Sequence, residues 1–162
     1  NLVSTKKQVE EIIQLLNDRN ESVATAESLT AGGLSQTLTS VSGSSTAFVG
    51  GLTAYRNEIK VHMLGVDAST ITNNTVVSEA VAMEMAKGAK QQFATTWAIA
   101  TTGVAGPEPL EGHAPGEVWI AIAGPINQAV QLTLEGSRDV IREATIASAI
   151  GTFYRILKYR GV

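Results

Sequence analysis

Ser28 lies where an apolar, β-prone run passes into a helix-compatible run. Residues 22–26 predict a short strand and residues 29–41 predict a helix, with Gly32 and Gly33 just beyond the serine. Junctions of this kind place a side chain and free backbone N–H groups at the carboxyl edge of a sheet, where α/β proteins bind ligands. A hydroxyl there acts as a nucleophile, as a helix cap or as a phosphate ligand.

Local sequence alone favours the cap, because serine is a preferred residue at the start of a helix. Gly32 and Gly33 argue against an ordinary cap, since a glycine inside a helix costs about 1 kcal/mol relative to alanine. Their presence predicts that another group approaches the backbone closely. Glu27 is either a catalytic carboxylate or a residue that orients the backbone of this junction. Neither the Gly-x-Ser-x-Gly motif nor the Walker loop occurs in the sequence.

A serine nucleophile needs a base, and Lys60 is the most interesting candidate. It lies on a short predicted helix, residues 57–64, that directly follows the predicted strand 46–55, so Lys60 and Tyr55 both come within reach of the sheet edge at Ser28. A lysine acts as a base when burial or a neighbouring cation lowers its pKa, and a tyrosine hydroxyl can relay the proton. The alternative is a solvated lysine beside a core tyrosine. Neither histidine, His62 or His113, is well placed by sequence.

Two arginines and one strand end offer places for an anion. Arg138 and Arg142 share one face at the start of the last predicted helix, where positive charge is unfavourable, so an anion such as phosphate bridging them is one explanation. Neutralisation by nearby acidic residues is the other. Thr102 and Gly103 follow a predicted strand, residues 97–101, and form either an oxyanion or phosphate site or a plain turn.

Composition excludes several classes of protein. The net charge is −3 without a basic run, which argues against nucleic-acid binding. There is no cysteine, so disulfides and thiolate chemistry are excluded. No apolar run has transmembrane length and no signal peptide is evident, so we expect a cytoplasmic protein with no membrane partner.

Helices and strands alternate along most of the chain. Helices are predicted over residues 5–20 and 78–93, an irregular segment over 67–77, a hairpin from 117–123 and 129–134, and a last helix over 137–159. The last helix is predicted to bury a stripe of Val140, Ala144, Ala147, Ile150, Tyr154 and Leu157. This order predicts one α/β domain over residues 1–162, a three-layer α/β/α sandwich with a mixed sheet.

Several segments, in order along the chain, together resemble one family. They are residues 26–32 (AESLTAG), 42–45 (SGSS), the Gly50-Gly51 pair with Tyr55 and Lys60, 64–66 (LGV), 77–79 (VSE), 102–107 (TGVAGP), 116–119 (GEVW), and Arg138 with Arg142. Over most of its length the chain is similar to the CinA C-terminal domain family, the nicotinamide-nucleotide amidases.

The resemblance implies hydrolysis of the carboxamide of nicotinamide mononucleotide (NMN) to nicotinic acid mononucleotide and ammonia, a step of pyridine nucleotide recycling. It implies Ser28 as nucleophile, Lys60 as base and Tyr55 as proton relay. Substrate contacts are expected from the helix start, the strand end and the last helix: Thr30, Gly32, Gly33, Thr102, Gly103, Arg138 and Arg142. No metal or cofactor is expected. The partner is a small nucleotide, and homo-oligomerisation is expected because family members are commonly oligomeric.

This sequence departs from the family pattern at two places that bear on the site. Ala31 replaces a glycine in the expected anion cradle, and residues 107–111 (PEPLE) replace a glycine-rich loop. Two other functions therefore stay open: an amidase for a different phosphorylated amide, and a nucleotide-binding sensor without turnover. The resemblance also leads us to expect that these 162 residues do not include the additional N-terminal domain of the larger CinA proteins.

Overall fold

Seven helices and five strands form the part of the chain, residues 3–159, that the computed structural model describes. In chain order they are α1 Thr5–Arg19, β1 Val23–Glu27, α2 Gly33–Leu38, α3 Ser44–Ala47, β2 Phe48–Thr53, α4 Asn57–Leu64, α5 Ala68–Asn74, α6 Glu79–Phe93, β3 Trp97–Gly103, β4 Glu117–Ala123, β5 Gln128–Thr133 and α7 Arg138–Tyr159. No helix in the described part is long and apolar enough to cross a membrane.

The strands form one mixed sheet in the order β2-β1-β3-β4-β5. Strands β2, β1 and β3 are parallel, whereas β4 and β5 add as an antiparallel hairpin. Because β1, β2 and β3 run the same way, their carboxyl ends meet at one edge of the sheet, and the segments that follow them lie close together there. The predicted mixed sheet with a late hairpin is confirmed.

Helices cover both faces of the sheet, which confirms the α/β/α sandwich. On one face α1 and α7 pack on large side chains such as Trp97, Ile99 and Ile120. On the other face α6 packs on small ones, including Ala98 and Ala100. Neighbouring residues of a strand point to opposite faces, so the alternation along β3 presents large side chains to one helix layer and small ones to the other.

Several predicted boundaries were wrong. The helix expected over residues 29–41 is limited to α2, because Ala31 (φ +48°) and Gly32 (φ +96°) adopt left-handed conformations that leave the helical path. The segment expected to be irregular, residues 67–77, contains α5, whose first turn is capped by the side chain of Asp67. Residues 46 and 47, expected in a strand, end the short helix α3.

The buried stripe of α7 also differs from the prediction. Val140 is 49% exposed, and the buried positions include Ile141, Thr145 and Ala149 instead, spaced four residues apart. The prediction was right for Ile150, Tyr154 and Leu157, which are buried. A helix that is apolar on more than one side does not show from sequence which side faces the sheet.

Two glycines, Gly51 and Gly88, mark close contacts between elements of the fold. A Cβ on Gly51 of β2 would lie 2.1 Å from Oγ1 of Thr25, so the Gly50-Gly51 pair reflects close packing of β2 against β1 and its neighbours. A Cβ on Gly88 of α6 would lie 1.9 Å from the carbonyl oxygen of Leu64. Gly88 therefore allows the end of α4 to contact α6, and α4 is the helix that carries Lys60.

Candidate active site

A cavity of about 470 Å³ lies at the carboxyl ends of the parallel strands. Its wall comes from the segments after β1, β2 and β3 and from the start of α7. Six of the ten predicted site residues line it: Ser28, Tyr55, Lys60, Thr102, Gly103 and Arg138. The parallel topology explains this convergence for all but Arg138, because residues 28, 55–60 and 102–106 each closely follow or end a parallel strand.

Ser28 is the first residue after β1 and is 7% exposed. Its N–H donates to the carbonyl oxygen of Thr101 at 3.1 Å, which ties it to β3. The residue at the start of α2 is Gly32, and no side chain caps that helix from the N-cap position. The interpretation of Ser28 as an N-cap is therefore wrong. Its hydroxyl has no hydrogen-bond partner within residues 3–159, so it is free to react with a molecule in the cavity.

Glu27 supplies the negative charge at the start of α2. Its carboxylate accepts hydrogen bonds from the N–H of Leu34 at 2.8 Å, the N–H of Ser35 at 3.0 Å and the Ser35 hydroxyl at 2.7 Å. Glu27 is 1% exposed. These bonds satisfy donors that a helix start leaves without partners. Of the two roles considered for Glu27, the structure shows the orienting one.

Lys60 is almost completely buried, with 1% of its surface exposed. Its ammonium group donates to the backbone carbonyl of Tyr55 at 3.0 Å. Burial lowers the pKa of Lys60 to about 8, because the charged form loses its hydration, while the carboxylates of Glu111 and Glu58 oppose this decrease. The structure thus excludes the alternative of a solvated lysine and leaves an appreciable neutral fraction near neutral pH.

Tyr55 is half exposed and its ring stands at the rim of the cavity. Nη2 of Arg138 donates to the Tyr55 hydroxyl at 2.7 Å, and Nη1 donates to the carbonyl of Gly106. The tyrosine is therefore not the core residue that the alternative required. Since its oxygen accepts from Arg138, the phenolic proton stays available for donation to a group in the cavity.

The two arginines that the sequence placed on one helix face differ in their position relative to the cavity. Arg138 lines the cavity, whereas Arg142 does not; its Nε donates to the carbonyl oxygen of Leu29 at 2.7 Å. Neither arginine forms an ion pair with an acidic side chain in the described part of the chain. Both instead hold segments beside Ser28 and Tyr55 in place.

Three predicted residues near the helix start also lie outside the wall of the cavity. Thr30 is buried, and its hydroxyl shares a 2.8 Å hydrogen bond with that of Thr101. Gly32 provides the left-handed residue before α2. A Cβ on Gly33 would lie 2.6 Å from Cδ1 of Ile146, so the close approach inferred at this glycine is made by α7.

The strand end at Thr102 and Gly103 lines the cavity as predicted for a ligand site. The Thr102 hydroxyl donates to the carbonyl of Val76 at 2.9 Å. A Cβ on Gly103 would lie 2.7 Å from the carbonyl oxygen of Glu117, so this glycine is required for β3 to pair with β4.

The loop that departs from the family pattern forms part of the cavity wall. Residues 108–111 line the cavity; the sequence indicated that this loop bears on the site but not which of its residues lie in the wall. His113 is partly buried: it hydrogen-bonds the Thr75 hydroxyl at 2.7 Å through Nε2 and the Glu117 carboxylate at 2.6 Å through Nδ1. Glu111 makes two further bonds across the loop, a role that the sequence analysis missed. Its place in a tight Glu-Gly turn was the only local signal.

No group of three or more His, Asp or Glu side chains within residues 3–159 is arranged to hold a metal ion. The predicted site residues bring to the cavity the hydroxyl of Ser28, the buried amine of Lys60, the phenol of Tyr55 and the guanidinium group of Arg138. Ser28 and Lys60, the two residue types of serine-lysine hydrolases, thus line one cavity at the carboxyl edge of the sheet of an α/β fold.

Comparisons with known proteins agree with this description. Residues 5–157 match the family model of the CinA C-terminal domain, and the chain belongs to this family. It is 44% identical over 149 residues to a CinA-like protein of Picosynechococcus sp. and 46% identical over 148 residues to one of Cyanothece sp., in each case over 89% of this chain. These alignments cover 36% and 35% of the two relatives, so the chain spans about a third of their length.

Solved structures show the same fold over whole chains. The competence damage-inducible protein A (ComA) of Klebsiella pneumoniae is 27% identical, with a TM-score of 0.93, covering 98% of this chain and 99% of that one. The competence/damage inducible protein CihA of Agrobacterium tumefaciens is 30% identical, with a TM-score of 0.90, covering 98% and 99%. The resemblance seen in the sequence is thereby confirmed.

Proposed function

We propose that this domain is an amidohydrolase that converts NMN to nicotinic acid mononucleotide and ammonia, with Ser28 as its nucleophile. Membership of the CinA C-terminal domain family supports the activity. The observation that carries the proposal is the buried amine of Lys60, with a pKa of about 8, in the same cavity as the unpartnered hydroxyl of Ser28.

The lowered pKa determines how much base is present. At pH 7 a lysine with a pKa of 8 is neutral in about one molecule in ten, against about one in 3,000 for the ordinary pKa of 10.5. Burial therefore increases the population of neutral Lys60 roughly 300-fold. Only the neutral amine can accept the Ser28 proton.

The proposed reaction proceeds in two stages. Neutral Lys60 takes the Ser28 proton as Oγ attacks the carboxamide carbon, and collapse of the tetrahedral intermediate breaks the C–N bond. The Tyr55 hydroxyl relays the proton from Lys60 to the amide nitrogen, which leaves as ammonia. Water, deprotonated by the same groups, then attacks the acyl-serine ester, which restores Ser28 and releases the carboxylate product.

Two features of the structure modify the expected stabilisation of the oxyanion. The N–H groups of Leu34 and Ser35 at the start of α2 are bound to Glu27, so they are not available to a substrate. The N–H of Leu29 has no partner among the described residues, and Leu29 lines the cavity beside Ser28. We assign the oxyanion contact to this N–H; such a donor contributes about 3 kcal/mol in a serine hydrolase.

The phosphate contact is assigned to Arg138, the predicted arginine that lines the cavity. Thr102 and Gly103 form the wall against which the nucleotide lies. Arg142 stays a predicted substrate contact: its Nε holds Leu29, and its terminal nitrogens have no partner within residues 3–159. For Thr30, Gly32 and Gly33 we propose indirect roles, because their contacts are internal.

The test is ammonia release from NMN by the purified protein and by Ser28→Ala, without added metal. The matched control is Ser40→Ala, an exposed serine after α2. We expect Ser28→Ala to lower the rate at least about 10³-fold and Ser40→Ala to leave it unchanged. Equal release by the parent and Ser28→Ala would refute the assignment of the nucleophile.

A second candidate is an amidase for a different phosphorylated amide. It is favoured by the loop at residues 108–111, which lines the cavity and brings two carboxylates to it. A panel of phosphorylated amides separates the candidates. NMN binding without ammonia release from any panel member would support a binding module without turnover.

A further inference from the structure

Glu111 joins two separate segments of the cavity wall to the loop on which it lies. Its Oε1 accepts a hydrogen bond from the N–H of Val76 at 3.0 Å, and its Oε2 accepts one from Nδ2 of Asn57 at 3.0 Å. The residue adopts a left-handed conformation, φ +48°, in the turn between Leu110 and His113, so the backbone is shaped to present this side chain.

Both segments lead directly to predicted site residues. Asn57 is the first residue of α4, and Lys60 lies one turn further along that helix. The carbonyl oxygen of Val76 accepts a hydrogen bond from the Thr102 hydroxyl. A carboxylate that binds Asn57 and Val76 at once therefore fixes the distance between the start of α4 and the end of β3.

The charges around Lys60 single out the same residue. The charged side chains lining the cavity with it are Arg56, Glu58, Glu108, Glu111 and Arg138. Glu111, followed by Glu58, favours the protonated amine against the effect of burial. Glu58 forms a 2.6 Å ion pair with Arg56 at an exposed position, whereas Glu111 is bound to neutral donors only, within the described residues.

We propose that Glu111 is a positioning residue of this active site: it holds the first turn of α4, and with it Lys60, against the cavity, and it sets the charge that the Lys60 amine faces. The role in turnover rests on the proposed amidase function. The effect on Lys60 does not, because it follows from geometry and charge alone.

The critical variant is Glu111→Gln, which keeps the size of the side chain and removes its charge. Without the carboxylate the protonated amine is less favoured, so the titration midpoint of Lys60 should fall by roughly half a pH unit. The matched control is Glu108→Gln, which removes a carboxylate from the same loop and the same cavity. For that control we expect a displacement of less than about 0.2 unit.

The midpoint is read by NMR titration of protein labelled with ¹³C-lysine, with the Lys60 signal assigned by its absence from a Lys60→Met variant. This readout needs no turnover, so it remains informative even if NMN is not the substrate. For active protein, the acid limb of the pH profile of kcat should move by the same amount. A midpoint that is unchanged in Glu111→Gln, or moved equally by Glu108→Gln, would overturn the proposal.

Asn57→Ala tests the structural half of the proposal and serves as a second variant if Glu111→Gln does not fold. It removes the tether to α4 and leaves the charge of Glu111 in place. We expect a several-fold decrease in kcat with the Lys60 signal still titrating within about 0.3 unit of the parent midpoint. An unchanged kcat would show that the contact between Glu111 and Asn57 does not position Lys60.

Discussion

Replacing Lys60 with methionine should change the pH dependence of stability in a defined direction. The variant keeps an unbranched side chain in the buried site and removes the amine. In the folded protein the pKa of Lys60 is about 8, against 10.5 for the ordinary lysine of the unfolded chain. Between these two values the unfolded state binds more protons than the folded state, so the stability of the parent rises with pH.

The magnitude follows from the two pKa values. At pH 7 the buried amine destabilises the parent by about 3 kcal/mol, and at pH 9.5 by about 1.4 kcal/mol, relative to a lysine whose pKa does not change on folding. The parent should therefore gain about 2 kcal/mol relative to Lys60→Met between pH 7 and pH 9.5. Effects that do not depend on pH, such as loss of the hydrogen bond to the Tyr55 carbonyl, cancel in this comparison.

The assay is urea unfolding of both proteins at the two pH values, with the difference in unfolding free energy as the result. The matched control is Lys87→Met, which removes an exposed lysine from α6, and its difference from the parent should change far less. The lowered pKa of Lys60 would be refuted if the difference in unfolding free energy between the parent and Lys60→Met were the same at pH 7 and pH 9.5, within about 0.5 kcal/mol.

Two further substitutions test the framework of the site. Glu27→Gln replaces a carboxylate that binds two N–H groups and the hydroxyl of Ser35, so it should lower the unfolding free energy by about 2–3 kcal/mol, measured as a decrease in Tm of roughly 5–10 °C. The control is the exposed Glu10→Gln. Equal effects of the two substitutions on Tm would contradict the role of Glu27. Gly88→Ala places a methyl group 1.9 Å from the Leu64 carbonyl oxygen, so α4 must move away from α6. We expect the unfolding free energy to fall by about 2 kcal/mol or more and the rate of ammonia release to decrease. Unchanged thermal unfolding would show that α4 and α6 can separate at little cost in free energy.

Local patterns identified most elements because the relevant signals are short-range. The helices predicted over residues 5–20 and 78–93 and the hairpin from β4 to β5 were confirmed. The stretch after Ser28 was misjudged, since its composition permits a helix and only the left-handed Ala31 and Gly32 delay it. The inner face of α7 was partly misjudged because the sheet, not the helix, selects which apolar residues it covers.

The sequence by itself determined which strand ends meet at the cavity. Ser28 and Tyr55 follow β1 and β2 within two residues, and Thr102 lies at the end of β3, so the parallel arrangement brings these residues to one edge of the sheet. Each strand is recognised from the pattern of a few neighbouring residues, and the sequence names the side chain at each strand end.

Only the tertiary structure decided what each of these residues does there. The burial that lowers the pKa of Lys60, the bond from Arg138 to Tyr55 and the two bonds of Glu111 all join segments distant in sequence. Desolvation and hydrogen bonding depend on the atoms that pack around a group, and those atoms come from the whole fold. The residue types therefore determine which chemistry is available, and the packing around these residues determines their protonation and orientation.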